Sequence, residues 1–288
     1  MIGGGKKRPS GKVDIAVMQS LARAGDSDEL FERYGQLVVD ECHHLSAFSF
    51  ESVLMQFKAR YVLGLSATPI RRDGHHPIIF MQCGPIRYKA ARGTSDITSM
   101  RVIVKRLAAP TVPDGAGIQD VFRILILDGV RNSRIVYDIS HSYEKGRKIL
   151  VLTERTEHLE RLAGLIGSGK TLIKLHGRMK KSERDEAFAA LGEMGHDEPR
   201  IILATGKLIG EGFDHPALDT LVLAMPISWK GTLQQYTGRL HREQSGKTGI
   251  EIHDYVENEN AFLASMWNKR RKGYLAMGYT IEENQDQA

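Results

Sequence analysis

Short apolar runs recur along this chain, and stretches with helical periodicity separate most of them. In the first third they are "VDIAVM" (13–18), "QLVVDE" (36–41) and "YVLGLSAT" (61–68). Further on come "KILVLTE" (148–154), "TLIKLHG" (171–177), "RIILATG" (200–206), "DTLVLAMP" (219–226) and "IEIHDYV" (250–256). Runs this short, rich in Val, Ile and Leu, suit buried strands better than helices. "TEHLERLAGLI" (156–166) and "KSERDEAFAALGEM" (181–194) carry apolar residues at helical spacing. Strands that alternate with helices imply an α/β class, with parallel sheets covered by helices. At 288 residues the chain has room for two such domains. The segment 91–120 contains "RGTSDITS" and "APTVPDGAG", a composition that suits a connection. The expected layout is a first domain over 1–95, a connection over 96–130 and a second domain over 131–288. A last helix, roughly 259–277, closes the second domain.

Composition narrows the classes. A 41% hydrophobic and 26% charged chain can build ordinary cores. No apolar run reaches the ~18–20 residues that a membrane span needs, so no membrane partner is expected. The start, "MIGGGKKRPSGK", has no apolar stretch of the secretory kind. Only Cys42 and Cys83 are present, which fits a reducing compartment, and a cytoplasmic location is expected. The net charge of +5 tilts the chain toward polyanionic partners.

Three groups of residues carry chemistry. Asp40 and Glu41 follow the apolar "LVV", at the carboxyl end of an expected strand, where open α/β sheets bind ligands. One carboxylate there can hold a hydrated Mg²⁺ while the other orients an attacking water. The plain alternative is a solvated acidic loop. A zinc site from Cys42, His43 and His44 is disfavoured, because three consecutive side chains do not easily converge on one ion. Ser66 and Thr68, in "GLSATP", end another apolar run and can couple neighbouring strands through hydrogen bonds. In "TLQQYTGRLHR" (232–242), Gln235, Arg239 and Arg242 are spaced four and then three, on one face of an expected helix. Two guanidiniums on one face suit a polyphosphate. A solvated basic helix face is the alternative. Upstream, "ATGKLIGEGFD" carries glycines and Asp214, which suits close backbone approach to a ligand and a hydrogen bond to a ribose hydroxyl.

The order "VVDECHH", "SATP", "ATGKLIGEGFD", "QQYTGRLHR" resembles motifs II, III, V and VI of the superfamily 2 helicases, across roughly residues 11–275. The "DECH" form resembles the DEAD/DEAH-like branch. "SATPIRRDG", "ILVLTERTEHL" and "LAMPISWKGTLQQY" are most similar to XPB-type helicases and restriction-enzyme translocating subunits. The resemblance implies two RecA-like domains, ATP and Mg²⁺ as cofactors, and DNA as partner, with RNA an alternative. It implies that Asp40 holds the Mg²⁺ and Glu41 activates the hydrolytic water. His43, Ser66 and Thr68 would couple the nucleotide state to the nucleic-acid grip. Gly212 and Asp214 would approach the nucleotide. Gln235, Arg239 and Arg242 would face the γ-phosphate across the domain cleft. Gln19, Ser20, Thr205 and Gly206 would touch the phosphodiester backbone.

One family feature is missing. Such helicases carry a phosphate-binding loop between a strand and a helix well before the acidic motif. Only 39 residues precede Asp40 here, and "GGGKKRPSGK" (3–12) lacks Ser or Thr after its lysines. The first domain is therefore expected to be incomplete, a fragment without ATPase activity of its own, its upstream segment or partner domains lying elsewhere. "GLIGSGKT" (164–171) matches G-x-x-x-x-G-K-[ST] letter for letter. Its setting is reversed, however: a helical pattern precedes it and a strand follows. The carbonyl end of a helix disfavours phosphate, so this loop is expected to be a turn. The competing reading is a non-catalytic nucleic-acid-binding or regulatory module.

Overall fold

The computed structural model describes residues 2–3, 6–22, 28–42, 48–66, 76–89, 99–113, 115–206, 213, 215–227, 230–242, 244 and 246–284. It divides into two compact units, 1–92 and 93–288.

The first unit opens with a short antiparallel ribbon, β1 (Ile2–Gly3) and β2 (Lys6–Lys7). Helices α1 (Met18–Ala22) and α2 (Asp28–Glu32) follow. Then comes a strand–helix–strand unit of β3 (Gln36–Val39), α3 (Phe48–Gln56) and β4 (Tyr61–Gly64). The two strands pair in parallel, with Gln36 opposite Tyr61 and Val39 opposite Gly64. Helix α4 (His76–Cys83) completes the described elements. Leu37, Val39 and Val62 face a small core with Cys42, Leu54, Ile79 and Cys83. The opposite face of the pair is bare: Val38, Tyr61 and Leu63, with Leu65 just beyond, are 46–59% exposed.

The strand expected at 13–18 does not form. A single bridge joins Ala16 to Ile2, and Met18 already begins α1. The Asp14 carboxylate accepts hydrogen bonds from the Ser10 and Gly11 amides (2.6 and 3.2 Å) and the Tyr34 hydroxyl (2.6 Å). Such local side-chain bonds compete with ladder formation. Val13 and Ile15 are left 89% and 72% exposed.

The second unit is built on a seven-stranded sheet. Its strands are β5 (Ser99–Arg106), β6 (Lys148–Thr153), β7 (Leu172–Leu175), β8 (Arg200–Thr205), β9 (Thr220–Leu223), β10 (Gly249–Val256) and β11 (Thr280–Asn284). The order is β11-β5-β10-β9-β6-β8-β7, and every neighbouring pair is parallel. The helices are α5 (Ile118–Leu127), α6 (Gly129–Glu144), α7 (Thr156–Ile166), α8 (Lys181–Glu193), α9 (Lys230–Leu240) and α10 (Ala261–Ala276).

Alternation along the strands splits the core into two layers. Ile149, Val151, Ile201 and Leu203 pack against Ile135 and Ile139 of α6 and Leu159 and Leu162 of α7. Leu150, Leu152, Ile202 and Ala204 pack with Leu233, Tyr236 and Leu240 of α9 and Trp267 and Tyr274 of α10. Both faces are covered, as a parallel sheet requires. The expected connection over 96–130 is corrected by this sheet. Ser99–Arg106 is one of its inner strands and Ile118–Leu127 is a helix of the same unit.

A buried ion pair ties β10 to α10. The Arg270 guanidinium donates from Nε and one terminal nitrogen to the two Asp254 carboxylate oxygens, each at 2.8 Å. Its other terminal nitrogen donates to the Ile227 carbonyl at 2.9 Å, and the Tyr274 hydroxyl donates to Asp254 at 2.8 Å. Every hydrogen-bonding group of this cluster has a partner, which is what makes a buried charge tolerable.

Candidate functional site

In the first unit the parallel register sends two chains out of the sheet side by side. The Leu65 amide donates to the Val39 carbonyl (2.8 Å), and the Cys42 amide donates to the Leu65 carbonyl (2.9 Å). Asp40, Glu41 and Ser66 therefore share one carboxyl end. Glu41 has a φ of +49°, the one non-glycine residue in the left-handed region among those described. That conformation is costly for a side chain of this size and is found preferentially at functional turns. It turns Cys42 inward while Asp40 stays exposed. Asp40 accepts from the Glu41 amide at 2.9 Å. An exposed carboxylate fits a Mg²⁺ that keeps most of its waters. His43 and Thr68 lie outside the described residues. Gln19 is exposed and Ser20 half-buried on the short helix α1.

In the second unit the carboxyl ends of β6, β7 and β8 border an open cleft of about 600 Å³, lined by Glu154, Arg155, Thr156, Glu157, Gly177, Arg178 and Thr205. The N-terminus of α7 faces it. No side chain caps that terminus, so its amides and partial positive charge are available to an anion. Arg155 is half-buried and Arg178 exposed. Desolvation raises the Glu154 carboxyl above its ordinary value.

The cleft floor touches the arginine helix. A Cβ on Gly206 would fall 2.1 Å from the Tyr236 hydroxyl oxygen and 3.7 Å from a Glu154 carboxylate oxygen, so only glycine fits there. Tyr236 lies on α9 and is 5% exposed; burial, and then the Glu154 charge, push its hydroxyl up to about 12. It therefore stays a neutral hydroxyl wedged between the strand end and the helix.

Helix α9 buries Leu233, Tyr236, Thr237 and Leu240, and leaves Gln235 and Arg239 half-exposed one turn apart. The sequence placed Arg242 on this helix too. The helix instead ends at Leu240, and Arg242 sits exposed in the following turn. Its carbonyl accepts from Lys247 Nζ (3.2 Å), which also reaches the Pro216 carbonyl (3.1 Å). Burial pushes that lysine down to about 8. His241 Nε2 and the Tyr279 hydroxyl are 2.7 Å apart, and Thr237 lies 3.2 Å from the Met277 sulfur. The segment after α10 thus braces the arginine helix. Gly212 and Asp214 lie outside the described residues.

"GLIGSGKT" is a helix end, as its setting implied. Gly167 has a φ of +72° and its amide donates to the Ala163 carbonyl at 3.2 Å. Gly169 has a φ of +102°, and β7 begins at Leu172. Sequence reasoning missed Arg155, Thr156 and Arg178. The rule that picked Asp40, applied to the ends of "KILVLTE" and "TLIKLHG", points to all three.

Two family models match. The type III restriction enzyme res subunit model covers residues 1–71, and the helicase conserved C-terminal domain model covers residues 131–244. Protein L396 of Acanthamoeba polyphaga mimivirus, which carries an RNA-helicase name, is 25% identical over 286 residues, covering 93% of this chain and 52% of its own. Protein D10 of Escherichia phage T5, named as a helicase, is 26% identical over 262 residues, covering 89% and 56%. The chain thus spans about half the length of these curated relatives. The crystal structure of T4 UvsW is similar in fold, with a TM-score of 0.52 and 20% identity over 98% of this chain and 61% of that one. The parallel sheets are those of RecA-like domains, and in sequence the chain is similar to superfamily 2 helicases of the restriction-translocase-like branch.

Proposed function

We propose that this chain is the nucleic-acid-gripping part of an ATP-dependent DNA translocase, and that the 288 residues alone bind DNA without hydrolysing ATP. The observation that carries the grip is the cleft at the ends of β6, β7 and β8. Two arginines, two threonines and an uncapped helix terminus line it beside Glu154 and Glu157, with Tyr236 packed between the end of β8 and the arginine helix. These groups suit the phosphates of a single strand, which carry most of the affinity in such contacts.

The hydrolytic half of the reading rests on Asp40, Glu41, Gln235, Arg239 and Arg242. Mg²⁺ held at Asp40 would neutralise charge on the β- and γ-phosphates. Glu41 orients the water, Gln235 faces the γ-phosphate, and the two arginines stabilise charge that develops in transfer. Catalysis of phosphoryl transfer is mostly positioning. The sequence contains no strand-to-helix loop of the G-x-x-x-x-G-K-[ST] form to supply it. His43, Ser66 and Thr68 would link the acidic loop to the grip, with Gln19, Ser20, Thr205 and Gly206 on the strand and Gly212 and Asp214 at the nucleotide. RNA is the alternative substrate.

The test is fluorescence-anisotropy titration of the chain with labelled single-stranded DNA and RNA over a salt series. The expected result is binding that weakens linearly in log[salt]. Arg178→Ala should flatten the log–log slope by about 0.7, one phosphate contact on a single strand. A slope unchanged by Arg178→Ala and Arg155→Ala together would refute the cleft as the grip.

A further inference from the structure

The chain has two cysteines, 42 and 83, distant in sequence. The fold brings them together behind the acidic pair. Cys42 follows Glu41 and is 4% exposed; Cys83 ends α4 and is half-buried. Gly64 of β4 lies between them. A Cβ placed there would be 3.0 Å from Cys42 Sγ, 3.0 Å from Cys83 Sγ and 2.9 Å from Cys83 Cβ. Both sulfurs thus crowd one point, and the glycine makes the room. Each thiol lies close enough to act on the other's proton affinity. The backbone on the Cys42 side is held by the bond from its amide to Leu65 and by the left-handed turn at Glu41.

We propose that Cys42 and Cys83 are a reactive dithiol that closes to an intramolecular disulfide and so clamps the acidic loop to α4. The co-reactant is a small-molecule disulfide. Cys83, the more accessible thiol, releases its proton to solvent and its sulfur attacks one sulfur of the reagent. The reagent S–S bond breaks, and the departing sulfur takes up a proton as a free thiol. The Cys42 thiol then releases its proton, and its sulfur attacks Cys83 Sγ in the mixed disulfide. That bond breaks, and the second reagent sulfur leaves and is protonated. The two protein thiols lose two electrons, and one reagent disulfide becomes two thiols. Burial pushes the Cys83 thiol up to about 11, so its attack draws on a small thiolate fraction and speeds up as pH rises. The inference is independent of the proposed ATP chemistry.

The test incubates the folded chain with hydroxyethyl disulfide, unfolds it in denaturant at low pH, and alkylates free thiols with a maleimide. The expected product has a mass two hydrogens below the reduced chain, carries no maleimide, and yields one peptide pair joining Cys42 to Cys83. Reductant restores two maleimide sites. Cys42→Ser should stop at a mixed disulfide on Cys83, one reagent half heavier. Two maleimide adducts on the treated parent, or a lasting mixed disulfide on Cys83 in the parent, would overturn the proposal. So would a disulfide that joins two chains rather than one.

Discussion

The second unit buries both faces of its parallel sheet, whereas the first leaves one face of its parallel pair in water. In β6 and β8 almost every side chain is buried, and helices lie over each layer. In β3 and β4 the residues facing α4 are enclosed, while Val38, Tyr61 and Leu63 face solvent. Burying apolar area is the main favourable term in folding, worth about 25 cal/mol per Å². The second unit has it on two sides of seven strands, and the first on one side of two. The cleft and its bracing thus stand on a sheet covered on both faces, while the acidic pair stands on a sheet that leaves apolar surface exposed.

The largest expected effect is in the second unit. Asp254→Ala leaves Arg270 charged, buried and without its carboxylate, and should destabilise that unit by about 3–5 kcal/mol. Calorimetry should show its transition fall while that of the first unit stays. A shared fall would break the comparison, since it would make the two units one cooperative block.

Acid should separate the units too. Burial pushes His158 down to about 3, with the charges of Arg131 and Arg161 adding to the effect. His253 is pushed down to about 4: burial outweighs Asp138 and Glu251, while Lys105 and Arg147 assist it. Neither ring nitrogen of His253 has a hydrogen-bond partner among the described residues. Both histidines fold neutral, so their stabilisation is complete above the unfolded value of about 6.5 and is lost as pH falls toward 4 and 3. With two extra protons on the unfolded chain, the slope reaches at most about 2.7 kcal/mol per pH unit. Denaturant melts between pH 7 and 4.5 should show it in the second-unit transition.

In the first unit Gly64→Ala should cost about 1–3 kcal/mol, because the new methyl meets both cysteine sulfurs. A neutral outcome in chemical denaturation would show a looser core than its contacts indicate. Lys58→Ala removes an exposed ion pair with Glu32 and should change stability by no more than about 1 kcal/mol. Lys170→Ala, in the turn between α7 and β7, should change it by about 0.5 kcal/mol or less and leave nucleotide affinity unaltered.

The sequence showed β6, β8 and β10 plainly, because "KILVLTE", "RIILATG" and "IEIHDYV" are apolar runs between helical patterns. It hid β5 and β11. "SMRVIVKR" and "TIEEN" are studded with charge, and those charges are satisfied across strands: Arg101 meets Glu251 and Glu282, and Arg106 meets Glu283 at 2.8 Å. Pairing of that kind is tertiary and leaves no local pattern. For the candidate site, position at a strand end pointed to Asp40 and Glu41, and the family resemblance pointed to Thr205. The wedge of Tyr236 against Gly206 was not, because it joins residues on different elements. Arg242 was misplaced because helical spacing continues past the helix end at Leu240.

On the proposed function, Asp40 and Glu41 are catalytic carboxylates in a unit without the loop that positions phosphates. Phosphate release from ATP by the purified chain, with and without single-stranded DNA, tests this most directly when run beside Glu41→Gln. The expected result is that DNA binds, that release does not rise with it, and that parent and variant are the same. DNA-stimulated release by the parent that Glu41→Gln abolishes would contradict it.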